Sequence, residues 1–366
     1  MNLPCRGTRT RVRHTVLCAL LPGLLLSAHA LAASVCVGTA GQLNSAIIAA
    51  ETNDESDDIR IRAGTYVAPI PDGFYYYPPS NDADISNVTV SGGWNADCSG
   101  ATNDATLTVL SGNLQTSVLR FRNANGTITV RNLTITGGYS DGVVLGALHF
   151  DHGSGFGIGV HVERVILHHN ETYAALYVKT QAPIHVEGSL FHSNLVTGTG
   201  AGGARIINEN GFNATYIYNN TFAYNAALSG STVGGLLFEN EDDAPAFIKN
   251  NIFWGNDNSD LGVVGNIASQ NDCGYNDVGV FDDVIACNGS NVVQVDPGFT
   301  NPAAEDFRLA TNSPLIDVGC SNLQCVGGLP ILDLNGIARP QGAGYEIGAY
   351  EGGYGFADLI FADGFD

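Results

Sequence analysis

An eleven-residue block recurs five times without gaps, at 128–138, 160–170, 184–194, 215–225 and 246–256. The copies start at a nearly constant spacing, with one shorter step between the second and the third. A unit this short cannot close a hydrophobic core alone, so copies at such a period must stack on one another. The columns of the block separate inside from outside. The first reads Ile128, Val160, Ile184, Thr215, Ala246 and the third Val130, Val162, Val186, Ile217, Ile248. Between and after them stand Thr129, His161, His185, Tyr216, Phe247 and Arg131, Glu163, Glu187, Tyr218, Lys249. Alternation with period two is the mark of a strand whose side chains point to opposite faces. The eighth column, Ile135, Leu167, Phe191, Phe222, Phe253, is wholly apolar and is expected to point inward. The eleventh, Gly138, Asn170, Asn194, Asn225, Asn256, suits turns.

A second strand signal advances with the first at a similar period, at 148–150, 176–178, 204–206 and 236–238. Two strand signals moving together, with Gly and Asn turns and no helical periodicity between them, predict an all-β parallel helix of stacked coils. A propeller would show four antiparallel strands per blade and a longer period. Residues 42–51, without Pro or Gly, predict a short helix that caps the first coil and protects its strand edges. Residues 69–81, with four Pro and a Tyr triplet, predict a protruding loop. The irregular chain beyond 256 is expected to cap the other end.

Residues 1–32 stand apart from this pattern. Four arginines precede an apolar stretch at 16–26, and Ala28-His29-Ala30 or Ala30-Leu31-Ala32 offers small residues for cleavage. That is the form of a secretory signal peptide, and its apolar run is short for a membrane span. This leader holds four of the 15 basic residues and none of the 36 acidic ones. The mature chain therefore carries 11 basic against 36 acidic residues, a net charge of −25 with histidine neutral. Such a surface argues against nucleic acid, which needs a positive footprint, and disfavours an uncomplexed polyanion such as pectate. Divalent cations would relieve that repulsion, and calcium is the ion that the acidic loops could take. No transmembrane segment is expected in the mature chain.

Six cysteines follow the leader: Cys36, Cys98, Cys273, Cys287, Cys320 and Cys325. An even count in an exported chain predicts disulfides, with 15 connectivities open to six cysteines. Proximity in sequence nominates Cys273–Cys287 and Cys320–Cys325, leaving Cys36–Cys98 to tie the amino-terminal cap to the first coils.

Several motifs resemble known proteins. Asn219-Asn220-Thr221-Phe222-Ala223-Tyr224-Asn225 and its relative at 250–256 resemble bacterial right-handed parallel β-helix proteins, and Ile59-Arg60-Ile61-Arg62-Ala63-Gly64-Thr65-Tyr66 is similar to their first coil. Val90-Ser91-Gly92-Gly93-Trp94 through Cys98, Asp296-Pro297-Gly298-Phe299, Asp306-Phe307-Arg308-Leu309, Ser313-Pro314-Leu315-Ile316-Asp317 and Ile347-Gly348-Ala349-Tyr350-Glu351 together resemble the choice-of-anchor Q family of secreted or surface proteins. The resemblance implies a right-handed, pectate-lyase-like β-helix over residues 33–350. It also implies an outer-surface or extracellular location. Residues 351–366 resemble short sorting tails of some exported proteobacterial proteins.

Three constellations bear on function. The first is a set of seven histidines lying between His149 and His192. Alignment sets His161 beside His185 and His168 beside His192; without a convergent third ligand this reads as an outward ladder, and no metal site is assigned. In the second, His149, Tyr177 and Arg205 share one outward column of the second strand, and Asp151, Lys179 and Glu239 the next. Asp151-His152 is superficially like a pectate-lyase motif, but the accompanying arginine pattern and the polygalacturonase signatures are absent. Asp242-Asp243 and Asp282-Asp283 are the paired carboxylates that glycoside hydrolysis would use. In the third, His185, Tyr216, Tyr218 and Lys249 are expected on one open face, where rings pack on sugars and the polar groups hydrogen-bond. The expectation is an exported structural or adhesive protein that binds a polysaccharide or cell-surface glycan. The rival is a polysaccharide lyase or glycoside hydrolase.

Overall fold

The computed structural model describes residues 33–352 except 54, 80–85, 125, 142, 153–158, 210, 229–232, 243, 266–271, 282–290, 324 and 326–327. The leader at 1–32, the tail from 353 on, Cys287, Asp243 and Asp282-Asp283 thus lie outside the described residues. Among the described residues the strands form a parallel sheet of 16, a parallel sheet of eight and a two-stranded antiparallel hairpin. This is the parallel β-helix that the repeat requires.

Register follows the block alignment. Val160 pairs with Ile128 and Ile184, and the row continues through Thr215 to Ala246. The eighth column stacks as Ile135, Leu167, Phe191, Phe222 and Phe253, all fully buried. Phe222 lies 4.4 Å from Phe191 and 5.0 Å from Phe253, ring on ring. In the eight-stranded sheet Leu148, Leu176, Ala204, Leu236 and Leu261 form the matching inward row.

Each block turns twice. The fifth column, Asn132, Arg164, Gly188, Asn219, Asn250, has φ between 50° and 57°, and the tenth, Gly137, His169, Ser193, Tyr224, Gly255, between 51° and 68°. The left-handed conformation costs roughly 1–2 kcal/mol for a residue with a Cβ, so Gly and Asn are the economical choices. Arg164, His169, Ser193 and Tyr224 hold it because the coils on either side fix the turn.

The eleventh column does more than suit turns. Asn170, Asn194, Asn225 and Asn256 are buried and chained. Each donates its Nδ2 to the Oδ1 of the next at 2.8 Å, and the last step, to Asp260, is 2.6 Å. Each Nδ2 also donates to a strand carbonyl, for example Asn225 to Phe191 at 3.0 Å. Each Oδ1 from Asn194 on also accepts the backbone N–H of the preceding asparagine, and Asn170 accepts that of Gly138. A second ladder runs through Asn220, Asn251, Asn276 and Asn291.

The helix Ala40–Ala50 is capped by Thr39, whose hydroxyl accepts the Gln42 N–H at 3.2 Å. Its Leu43, Ile47 and Ala50 complete the first coil's core with Ile59, Ile61 and Phe74. Cys36–Cys98 joins this end, with Cα atoms 5.7 Å apart. The Pro-rich stretch does not protrude as a whole. Phe74–Tyr76 is an edge strand of the second sheet, because Phe74 and Tyr76 alternate inward and are buried.

The carboxy-terminal chain is irregular as expected, but its described residues from 299 on pack along the outer face of the first sheet. The hairpin of Phe299–Asn301 with Asp306–Leu309 sets Phe307 among Ile166, Leu190 and Ala223. Leu309, Leu315 and Ile347 cover Ile252. Asn219 donates to the Glu346 carbonyl, and Asn250 to that of Cys320. The physical reason is composition: the outward positions Ile166, Leu190, Ala223 and Ile252 are apolar and need a cover.

Phe222→Ala should cost about 3–5 kcal/mol, since it empties a fully buried ring position with stacked neighbours on both sides. Urea denaturation followed by circular dichroism measures it; a loss below about 1 kcal/mol would contradict the inward stack.

Candidate functional site

The outer face of the eight-stranded sheet gathers aromatic and charged side chains in two neighbouring rows. Between the inward residues Leu119, Phe121, Leu148, Phe150, Leu176 and Val178, every intervening side chain points outward. One row runs Tyr75, Arg120, His149, Tyr177, Arg205, Leu237. The next runs Arg122, Asp151, Lys179, Ile207, Glu239. The two expected columns therefore form as read, with Ile207 between Lys179 and Glu239.

The rows interlock. Tyr75 and Tyr77 stack at 5.4 Å, and Arg120 lies 4.3 Å over the Tyr75 ring. His149 stacks on Tyr177 at 4.9 Å, and Tyr173 meets Tyr177 edge-on. Arg205 sits 5.2 Å over Tyr173 and grips Glu239 with two nitrogens, Nη2 to Oε2 at 3.1 Å. Arg120 pairs with Asp72, Arg122 with Asp151 and Lys179 with Glu209. Guanidinium on tyrosine face is a favourable contact, and each is braced by a carboxylate.

These environments decide what the face can do chemically. Burial, reinforced by the Arg120 and Arg122 charges, pushes the His149 imidazole down to about 3. Its Nδ1 accepts the Gly146 N–H at 3.2 Å. Burial with the nearby Asp151 and Glu239 carboxylates pushes the Tyr177 phenol up to about 12. The Glu209 hydrogen bond raises the Lys179 ammonium. A general base works best with a pKa near the operating pH. His149, Tyr177 and Lys179 are all displaced from that window, and Arg205 is committed to Glu239. Stacking and hydrogen bonding are the interactions that these side chains offer.

Tyr75, Tyr77, Arg120, Arg122 and Tyr173 were not legible as site residues while 69–81 read as a loop. The signal was present: Leu119-Arg120-Phe121 has the pattern of Leu148-His149-Phe150, and Phe74-Tyr75-Tyr76 of both.

The face expected for sugars on the first sheet is different in kind. His185, Tyr216 and Phe247 do form a continuous stack, at 4.6 and 5.3 Å, and Tyr218 and Lys249 lie beside it. But Tyr218 is 0 % and Lys249 2 % exposed. Tyr218 packs with Cys320, Cys325, Leu329 and Tyr345, so the carboxy-terminal segment covers this end of the row. The open face expected for His185, Tyr216, Tyr218 and Lys249 is therefore closed over Tyr218 and Lys249. Cys320–Cys325 closes that cover, with Cα atoms 6.1 Å apart. Cys273 is disulfide-bonded as well. No helix among the described residues is long and apolar enough to cross a membrane.

The cover is anchored by the last family-like motif. Arg339 and Glu351 form a fully buried ion pair at 2.6 Å, and Asp333 accepts the Glu351 N–H. Glu346 is buried beside them. Burial, then the hydrogen bond and charge of Glu351, raise its carboxyl well above the usual range.

No family model matches this chain, and no curated protein or solved structure matches it.

The raised Glu346 carboxyl sets a pH dependence. A group with a folded pKa above its unfolded value of 4.5 contributes stability that is whole below that value and is lost as pH rises towards the folded one. Wild type should therefore lose thermal stability from pH 6 to 9 faster than Glu346→Gln. Parallel melting curves for the two proteins across that range would contradict it.

Proposed function

We propose that the chain is an exported surface protein of the choice-of-anchor Q type that holds a linear glycan along the outer face of its second sheet. The observation that carries this is the row Tyr75, Arg120, His149, Tyr177, Arg205, flanked by Arg122, Asp151, Lys179 and Glu239. Adjacent strands lie about 4.8 Å apart. A polymer lying along the coil axis would meet the exposed Tyr77 and the half-buried Tyr75, Arg122, Asp151, Lys179, Arg205 and Glu239, while Arg120, His149 and Tyr177, 3–8 % exposed, form the floor beneath them. Rings that present a flat apolar face, next to side chains with fixed donors and acceptors, are what sugar rings with equatorial hydroxyls require.

Charge selects the class of glycan. Arg120, Arg122, Lys179 and Arg205 each already hold a carboxylate. The face therefore offers matched donors and acceptors without a net positive field, and the mature chain is strongly anionic. A neutral polysaccharide fits these conditions better than a polyuronate. Export is supported by the form of residues 1–32 and by disulfides, which persist in oxidising compartments. The resemblance of the motifs from Asp296 to Glu351 supports a place on the cell surface.

Retention of the full oxidised chain on immobilised neutral polysaccharides, compared with polygalacturonate, tests the reading. Tyr75→Ala with Tyr77→Ala should keep the fold, because Phe74 and Tyr76 carry the inward packing of that strand. It should weaken binding about 10–100-fold, the sum of two stacking contacts. Unchanged retention would eliminate this face. New reducing ends or unsaturated products in the eluate would replace binding with turnover.

A further inference from the structure

We propose that His168, His192 and Glu305 form a binding site for a divalent transition-metal ion of the zinc class. The sequence pairs the two histidines but offers no third ligand. The fold brings one from far along the chain, on the carboxy-terminal hairpin. One donor atom from each of the three residues lies within 4.8 Å of the other two.

Three separate elements deliver these donors. His168 ends the strand Val160–His168 and His192 ends Leu190–His192, paired in register so that their rings stack at 5.0 Å and 8°. Because an imidazole binds a metal in its own plane, one ring turns about its Cβ–Cγ bond for both to reach one ion. Glu305 follows the short turn Pro302–Ala304 and holds φ 60°, the left-handed region that a glutamate enters only when its surroundings impose it. Phe307 packs 4.9 Å from His192 and fixes the hairpin over the histidines. His192 Nδ1 lies 3.9 Å from Glu305 Oε1. Donors around a tetrahedral zinc stand about 3.3 Å apart, given bonds of about 2.0 Å. The Glu305 side chain is 42 % exposed, and the closing movement swings its carboxylate towards His192 about its contact with His169.

His169 supplies the support that metal ligands ordinarily have. Its Nε2 lies 3.1 Å from Glu305 Oε1, and its Nδ1 lies 2.7 Å from His168 Nδ1. It thus orients both a carboxylate and an imidazole ligand from the tenth, turn-making column of the block. Two imidazoles and one carboxylate select zinc, cobalt, nickel or copper over calcium, which takes oxygen donors. Three protein ligands leave a fourth position for water. An ion here would tie the hairpin to the first sheet.

The test uses the full chain with its disulfides intact, stripped with chelator and titrated calorimetrically with zinc chloride; cobalt(II) serves as the optical probe. One equivalent should bind, with a rise in melting temperature and the visible bands of tetrahedral cobalt. Glu305→Gly relieves the left-handed strain, so the metal-free variant should melt no lower than wild type, yet it should lose both the zinc-dependent rise and the cobalt spectrum. Glu305→Gln, which keeps the side-chain size, should do the same. His169→Gln should bind about 10–100-fold more weakly. His185→Gln alters the other histidine pair and should bind zinc as wild type does. Failure of the wild type to bind zinc overturns the proposal. So does undiminished binding in both Glu305 variants, or equal loss in His185→Gln.

Discussion

Every coil must turn its corner inside a dry interior, and the buried asparagine amides of the eleventh column make that possible. A buried backbone N–H or C=O without a partner costs about 1–3 kcal/mol, and a stacked solenoid would repeat that cost at each coil. Asn225 shows how it is avoided. Its Oδ1 accepts both the N–H and the Nδ2 of Asn194, while its Nδ2 donates to Phe191 O and to Asn256 Oδ1. All four hydrogen-bonding positions of one side-chain amide are used. Because each step links one coil to the next, the ladder also sets register: a shift by one residue would replace asparagine with His169, Ser193 or Tyr224, or with Glu171, Leu195 or Ala226, and break the amide-to-amide bonds. Asp260 ends the series with a carboxylate that accepts from Asn256 on one side and from Val280 on the other.

With register fixed from within, the outward faces are free to differ. The first sheet presents apolar residues outward at the seventh and ninth columns and is covered by the carboxy-terminal segment, which is anchored by the buried Arg339–Glu351 pair. The second sheet presents tyrosines braced by arginine–carboxylate pairs. One face therefore takes its cover from the chain itself, while the other carries the chemistry suited to a ligand. The cover also carries Glu305 to the histidines, so a single segment both shields the first sheet and completes a ligand set.

The coils were legible in the sequence because period-two alternation and an apolar eighth column are properties of a single strand that repetition makes visible. The outward pairs His161–His185 and His168–His192 followed from the same alignment. What the alignment could not supply was anything contributed from outside the repeat. Tyr218 and Lys249 occupy outward columns; the fold-back of Cys320, Cys325, Leu329 and Tyr345 packs over Tyr218, and Lys249 is buried with its ammonium 5.4 Å from the Tyr275 ring. Glu305 has no counterpart in any block. The edge strand Phe74–Tyr76 was hidden by the prolines around it, although its alternation matches Leu119-Arg120-Phe121. The eleventh-column asparagines are legible as turn formers; their burial as a ladder depends on the distance between coils, which no single strand reveals.

Backbone amide hydrogen exchange tests the role of that ladder most directly. Turn amides at a protein surface exchange quickly, whereas those of Asn170, Asn194 and Asn225 donate into the buried row. The account predicts that these turn amides are protected to the same degree as the strand amides of Phe191 and Phe222 beside them. Fast exchange at Asn194 and Asn225, with the neighbouring strands still protected, would contradict it.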